Sequence, residues 1–206
     1  MKKALVLFLC LMLVCAVGCS PSDDNTSSGD AVSISEIEKS VKEGNLDTVK
    51  YGVGDNAEEV KSYYQKLASD YAYAHSSESE DAHNHNHNHD IDEDFASYEE
   101  VQRDGYTLVK TAKARFYCKA GKVVAVSTDS DVFGFTPAIT SKYEVEEAIT
   151  ADGKTFTART EDFVFSPFAS EGTIILRYKI DDYQLDFYFY ENSLLSTVII
   201  DTEKWN

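Results

Sequence analysis

The chain has 206 residues, with 36 acidic against 19 basic side chains and a formal charge of −17. A surface this acidic is repelled by nucleic acid and by anionic headgroups, so both are disfavoured as partners. Metal cations, cationic peptides and basic proteins remain compatible with it.

Met1-Lys2-Lys3 forms a short basic start, followed by the apolar run ALVLFLCLMLVCAV over residues 4–17. That run is short for a bilayer span and suits the apolar region of a signal peptide. Ala16-Val17-Gly18-Cys19 places small residues before a cysteine, resembling the lipobox of bacterial lipoproteins. Alanine at Ala16 departs mildly from the commoner leucine. The reading is a signal peptide over residues 1–18, a lipid on Cys19 and a polar tether over residues 19–32. The expected location is the outer face of the cell membrane, held by the lipid. Processing would leave 17 basic and 36 acidic residues, a charge of −19. Cys10 and Cys15 would leave with the signal, so Cys118 would have no intramolecular disulfide partner.

Residues 33–206 are read as one α+β domain. In ISEIEKSVKE (residues 34–43), Ile34, Ile37 and Val41 share a helical stripe, and Gly44 follows as a stop signal. Asp55 and Glu58 have capping-box spacing before a helix carrying Val60, Tyr63, Tyr64 and Leu67. Residues 76–94 are almost wholly Ser, Asp, Glu, His and Asn, and are read as a disordered His-rich insert.

Period-two patterns follow in GYTLVKT, AKARFYCKA and KVVAVSTD, the last two joined by a turn at Ala120-Gly121. Ser141 and Glu144 repeat the capping-box spacing before a helix with Val145, Ala148 and Ile149. Strand patterns then recur in KTFTART, FVF, TIILRYKI, DYQLDFYFY and LLSTVIID. Asp181-Asp182 and Glu191-Asn192-Ser193 read as hairpin turns.

These halves align. VGDNAEEVKSYY answers ITSKYEVEEAIT, and Phe116-Tyr117 matches Phe187-Tyr188. The reading is a tandem divergent repeat of a helix plus antiparallel strands, forming one sheet with helices on one face. Repeat one covers 49–128, including the insert, and repeat two covers 139–201.

The order of VKYGVGDNAEEVKSYY, an aromatic strand, ITSKYEVEEAIT and YQLDFYFYENSLLSTVII behind a lipobox resembles the YjgB-like lipoproteins of Gram-positive bacteria. That family is a domain of unknown function, and the likeness covers roughly residues 34–203. It departs from the family at the missing glycine and proline after each helix and at the His-rich insert. A helix-and-sheet unit used twice is also distantly similar to β-lactamase-inhibitor proteins and to small outer-membrane assembly lipoproteins. Those folds imply a sheet face turned toward a protein partner. The family implies no catalytic residues.

Two candidate sites emerge. His83, His85, His87 and His89 alternate with asparagine, and neutral imidazoles are ligands for zinc, copper and nickel. In an extended chain alternate residues stand about 6.6 Å apart, so the chain must fold back to chelate. Ordering about ten residues costs on the order of 10–20 kcal/mol, against about 10–16 kcal/mol from a structural zinc site. Weak binding by a subset of the imidazoles follows, with zinc the candidate metal and no cofactor required.

The second site is the sheet. Leu185, Phe187 and Phe189 alternate with Asp186, Tyr188 and Tyr190, and Phe116 and Cys118 alternate with Arg115, Tyr117 and Lys119. One face is core, which makes Cys118 a buried hydrophobe rather than a nucleophile. The other is expected to be exposed, with Tyr117, Tyr188 and Tyr190 contacting an unknown protein or cell-envelope ligand. No nucleophile elbow or phosphate loop accompanies these residues, so the expected function is non-enzymatic binding. The alternative is a zinc-binding lipoprotein in metal acquisition through the His-rich loop.

Overall fold

The first helix, α1 (Ile34–Lys42), forms where the stripe predicts it and buries Ile34, Ile37 and Val41. The backbone N–H of Ser33 donates to the Glu36 carboxylate at 3.0 Å, which satisfies one orphan donor at the helix start. The helix ends at Gly44, whose φ of +73° only glycine adopts readily. A Cβ there would stand 2.5 Å from the Val53 carbonyl oxygen, so the same glycine admits the returning chain.

The second helix, α2 (Ala57–Ser76), is capped by Asn56 rather than Asp55. The Asn56 Oδ1 accepts from Glu58 N at 2.9 Å and Glu59 N at 3.4 Å. Asp55 instead turns back and accepts from Gly52 N at 2.8 Å, closing the preceding turn. The helix runs to Ser76, so the first residue assigned to the insert is its last turn.

The computed structural model describes residues 33–76, 97–150, 161–163, 167–168 and 172–205. The signal, Cys19, the tether, the His-rich tract and KTFTART lie outside the described residues.

Among the described residues, eight strands form one antiparallel sheet. They are β1 (Tyr98–Arg103), β2 (Tyr106–Thr111), β3 (Ala114–Lys119), β4 (Lys122–Thr128), β5 (Glu161–Phe163), β6 (Ile174–Ile180), β7 (Tyr183–Tyr190) and β8 (Ser193–Asp201). Helix α3 (Lys142–Thr150) separates the two sets of four, and a short helix α4 (Thr202–Trp205) follows β8. The spatial order is β1-β2-β3-β4-β8-β7-β6-β5, so β4 and β8 meet at the centre and each set runs outward from that seam. Along the seam Ala125 pairs with Ile200 and Thr128 with Thr197.

The hairpins β3–β4 and β7–β8 share an irregularity. Tyr117 pairs with Ala125 and Cys118 with Val123, leaving Val124 as the extra residue of a bulge. Tyr188 pairs with Ser196 and Phe189 with Leu194, leaving Leu195 extra. A shift of 71 residues carries 117, 118 and 124 onto 188, 189 and 195. The same shift carries Ala120 (φ 48°) onto Glu191 (φ 56°) in the two turns. It also carries Lys122 onto Ser193, the strand ends of two isolated bridges, Asn56 to Lys122 and Ser141 to Ser193, in each of which the residue before a helix meets the first residue of a strand.

Alternation sends Val109, Phe116, Cys118, Leu185, Phe187 and Phe189 to one face, where α1, α2 and α3 cover them with Ile37, Val60, Tyr64, Val145 and Ile149. The opposite face has a second, smaller core. Leu108, Tyr117, Ala125, Tyr188, Val198 and Ile200 are buried there, with Phe168, Tyr106 and Trp205 packed over them. That burial corrects the expectation of an open face at Tyr117 and Tyr188, each only 1 % exposed. Their cover comes from distant parts of the chain, the turn at Pro167-Phe168 and the helix α4. Among the described residues no helix is long and apolar enough to cross a membrane.

Candidate functional site

The second face is held by rings. Tyr117 meets Phe168 edge-on at 4.6 Å between centroids, Tyr106 at 5.6 Å and Trp205 at 5.8 Å. Phe168 lies 5.0 Å from Trp205 and 6.3 Å from Tyr188. Edge-to-face pairs of this kind contribute about 0.5–1.5 kcal/mol beyond area burial. Burial pushes the Tyr117 phenol up to about 12, so it stays protonated and donates, at 3.4 Å, to the Pro167 carbonyl.

Helix α4 is pinned at both ends. Asp201 Oδ1 accepts from the Glu203 and Lys204 backbone N–H groups at 3.1 and 3.0 Å. Lys119 Nζ donates to the Trp205 carbonyl at 2.6 Å. Burial alone would raise the Asp201 carboxyl, but Lys204 and the two backbone donors outweigh it and hold the group below its ordinary value.

Beside this cluster lies a groove of about 430 Å³. Its floor is Leu108, Tyr117, Phe168 and Leu195, and Lys110, Arg115 and Asp129 stand along it. The bulge in β8 delivers Leu195, which is 40 % exposed. Lys110 is ion-paired with Glu99 at 2.9 Å, and Arg115 with Asp129 at 3.0 Å. A volume of this order is within the range of small-molecule sites, and the lining of this open groove is mixed, more polar than apolar.

A smaller cavity, about 150 Å³, lies on the helical side between Lys50, Tyr63, Tyr64 and Lys113. Lys50 Nζ sits 3.5 Å from the Tyr63 ring centroid, a cation–π contact. Tyr51, Tyr63 and Tyr64 pack edge-on around it. The cation and rings already satisfy one another, so this cavity is part of the packing of α2.

Of the residues singled out from sequence, Tyr117 and Tyr188 belong to the second core, with only Tyr117 lining the groove. Tyr190 is 56 % exposed at the end of β7 and does not line it. His83, His85, His87, His89 and Cys19 lie outside the described residues. Among the described residues no group of three or more His, Cys, Asp or Glu is placed to hold a metal. Cys118 is buried on the helical face, as its strand position predicts, and burial pushes its thiol up to about 11.

Lys110, Arg115, Asp129, Phe168 and Leu195 were not singled out from sequence. The available signal was two cations flanking the Ala112-Lys113 turn, which antiparallel pairing sets opposite each other.

No family model matches the chain, no curated protein matches it, and no solved structure matches it.

Proposed function

We propose that this chain is a lipid-anchored extracytoplasmic lipoprotein whose domain is a non-enzymatic binding module, with its ligand in the groove floored by Leu108, Tyr117, Phe168 and Leu195. The observation that carries the reading is the groove itself, an open surface of mixed apolar and ion-paired side chains. Those groups suit recognition: rings and aliphatic carbons to exclude water, and charges to orient a ligand. The domain is read as a divergent tandem repeat, α2 with β1–β4 and α3 with β5–β8. The matching bulges, turns and bridges of the two hairpins support that reading. The likeness to YjgB-like lipoproteins agrees with this reading.

Trp205 is the only tryptophan of the chain and packs on Phe168, so its fluorescence reports on the groove. A fragment screen read by that signal is expected to give saturable responses that disappear in Leu195→Arg. The groove is not the site if every responding fragment binds Leu195→Arg equally well.

The anchor has its own test. Cys19→Ala is expected to release the protein from the membrane fraction or leave it unprocessed. Unchanged fractionation with a mature N-terminus elsewhere would refute the lipobox.

A further inference from the structure

The two matching hairpins carry opposite charge at one position. Arg115 in β3 and Asp186 in β7 each stand two residues before the tyrosine at the bulge, Tyr117 or Tyr188. In the second hairpin the Asp186 carboxylate is fully buried. It accepts from Arg177 of the adjacent strand at 3.0 and 3.1 Å, from Gln184 at 2.9 Å and from the Tyr188 hydroxyl at 3.3 Å. Arg177 pairs directly with Asp186 across β6 and β7.

In the first hairpin the corresponding register sets Lys110 directly opposite Arg115. Like charges facing each other across a strand pair are unfavourable. The acids that balance them come from the rim, and all four side chains are well exposed: 37 % and 59 % for Lys110 and Glu99, 40 % and 46 % for Arg115 and Asp129. Ion pairs so exposed hold weakly and exchange readily with another anion. Both cations border the groove, whose mixed lining includes the apolar side chains Leu108, Phe168 and Leu195.

We infer that this groove binds a small organic carboxylate with an apolar tail, the carboxylate held between Lys110 and Arg115 and the tail lying on Leu108, Phe168 and Leu195. The ligand's carboxylate supplies to the facing pair Lys110 and Arg115 the negative partner that Asp186 supplies to Arg177 in the second hairpin. The Arg115 guanidinium offers a planar, bidentate fork to that group, and Lys110 a mobile point charge. Lys110 pairs with Glu99, and Arg115 with the groove-lining Asp129, so the ligand's carboxylate binds by replacing these exposed acids on the two cations. This ligand class rests on the groove being the binding site, as proposed above.

The test is a calorimetric titration of the full chain with 3-phenylpropanoate and with its neutral amide, 3-phenylpropanamide, repeated by Trp205 fluorescence. The acid is expected to saturate and the amide to bind at least tenfold more weakly. Arg115→Gln and Lys110→Gln are each expected to weaken the acid at least tenfold, with unchanged urea melts because both side chains are exposed. Leu195→Arg is expected to lose both compounds. Equal binding of acid and amide would overturn the carboxylate while leaving the groove in place as a binding site. Parental affinity in both glutamine variants would overturn it too. Absence of saturable binding by the acid at millimolar concentration would also overturn it, and the fragment screen would then decide the groove separately.

Discussion

Phe187→Ala and Tyr188→Ala are each expected to destabilise the domain by about 3–5 kcal/mol, the range for truncating a buried aromatic ring. Phe187 is fully buried on the helical face, edge-on to Phe135 at 5.6 Å between ring centroids. Tyr188 is 1 % exposed on the other face, against Phe168, and its hydroxyl serves Asp186. Each truncation loses transfer free energy and leaves a hole that a sheet packed on both faces cannot collapse to fill. Tyr190→Ala, at a side chain more than half exposed, is expected to stay within about 1 kcal/mol. Urea melts of the three variants decide the matter. A loss at Tyr188 no larger than that at Tyr190 would mean that the second face is open in solution and that Phe168 and Trp205 do not cover it.

The contrast between Tyr188 and Tyr190 marks how far the sequence could be read. Patterns contained within one element were legible: Ile34, Ile37 and Val41 on one stripe, and the Ser141–Glu144 pairing at 2.6 Å. Period two correctly divides the sheet into two faces, but it does not say what lies over each one. Trp205 sits beyond the last strand and Phe168 in a turn, and neither has a pattern that announces a lid over Tyr117.

Strand β1 was missed for a related reason. Glu99, Glu100, Gln102 and Arg103 leave it without an apolar alternation, yet charge is what an edge strand carries to discourage further pairing. The helix cap shifted by one residue because Asp55 and Asn56 are both good cap residues, and only the turn at Gly52 decides which is free. The groove depends on four separate stretches, the β2–β3 hairpin, Asp129 just after β4, the Pro167-Phe168 turn and the β8 bulge. Its charges were visible one at a time but not as a set.

Removing Asp186 is the other substitution with a large expected effect. The carboxylate is fully buried, while the Arg177 side chain that clasps it keeps 27 % exposure. Asp186→Ala would remove the buried acceptor shared by the Arg177 guanidinium, Gln184 and the Tyr188 hydroxyl. Breaking a buried pair from one side costs about 3–5 kcal/mol, and the partial exposure of Arg177 places this case toward the lower end. The double variant Arg177→Met, Asp186→Leu removes both charges and is expected to recover most of that loss.

The carboxylate also has a pH signature. Burial raises its pKa above the ordinary 3.8, and the bonds from Arg177, Gln184 and Tyr188 pull against that shift without cancelling it. The folded state therefore holds this proton more tightly than the unfolded chain. Well below 3.8 both states are protonated and the group contributes nothing to the slope. As the pH rises through that value the unfolded chain releases its proton first, and the contribution of Asp186 to stability falls until the folded state has released its own. Asp186→Asn lacks this step. Urea melts between about pH 3 and 7 should therefore show the difference in stability, parent minus variant, declining with pH. A difference that rises with pH would mean that Arg177 outweighs burial and that the carboxyl is held below its ordinary range. Asp186→Ala and the double variant being equally unstable would show that the ion pair, rather than its buried volume, carries the stability of the second face.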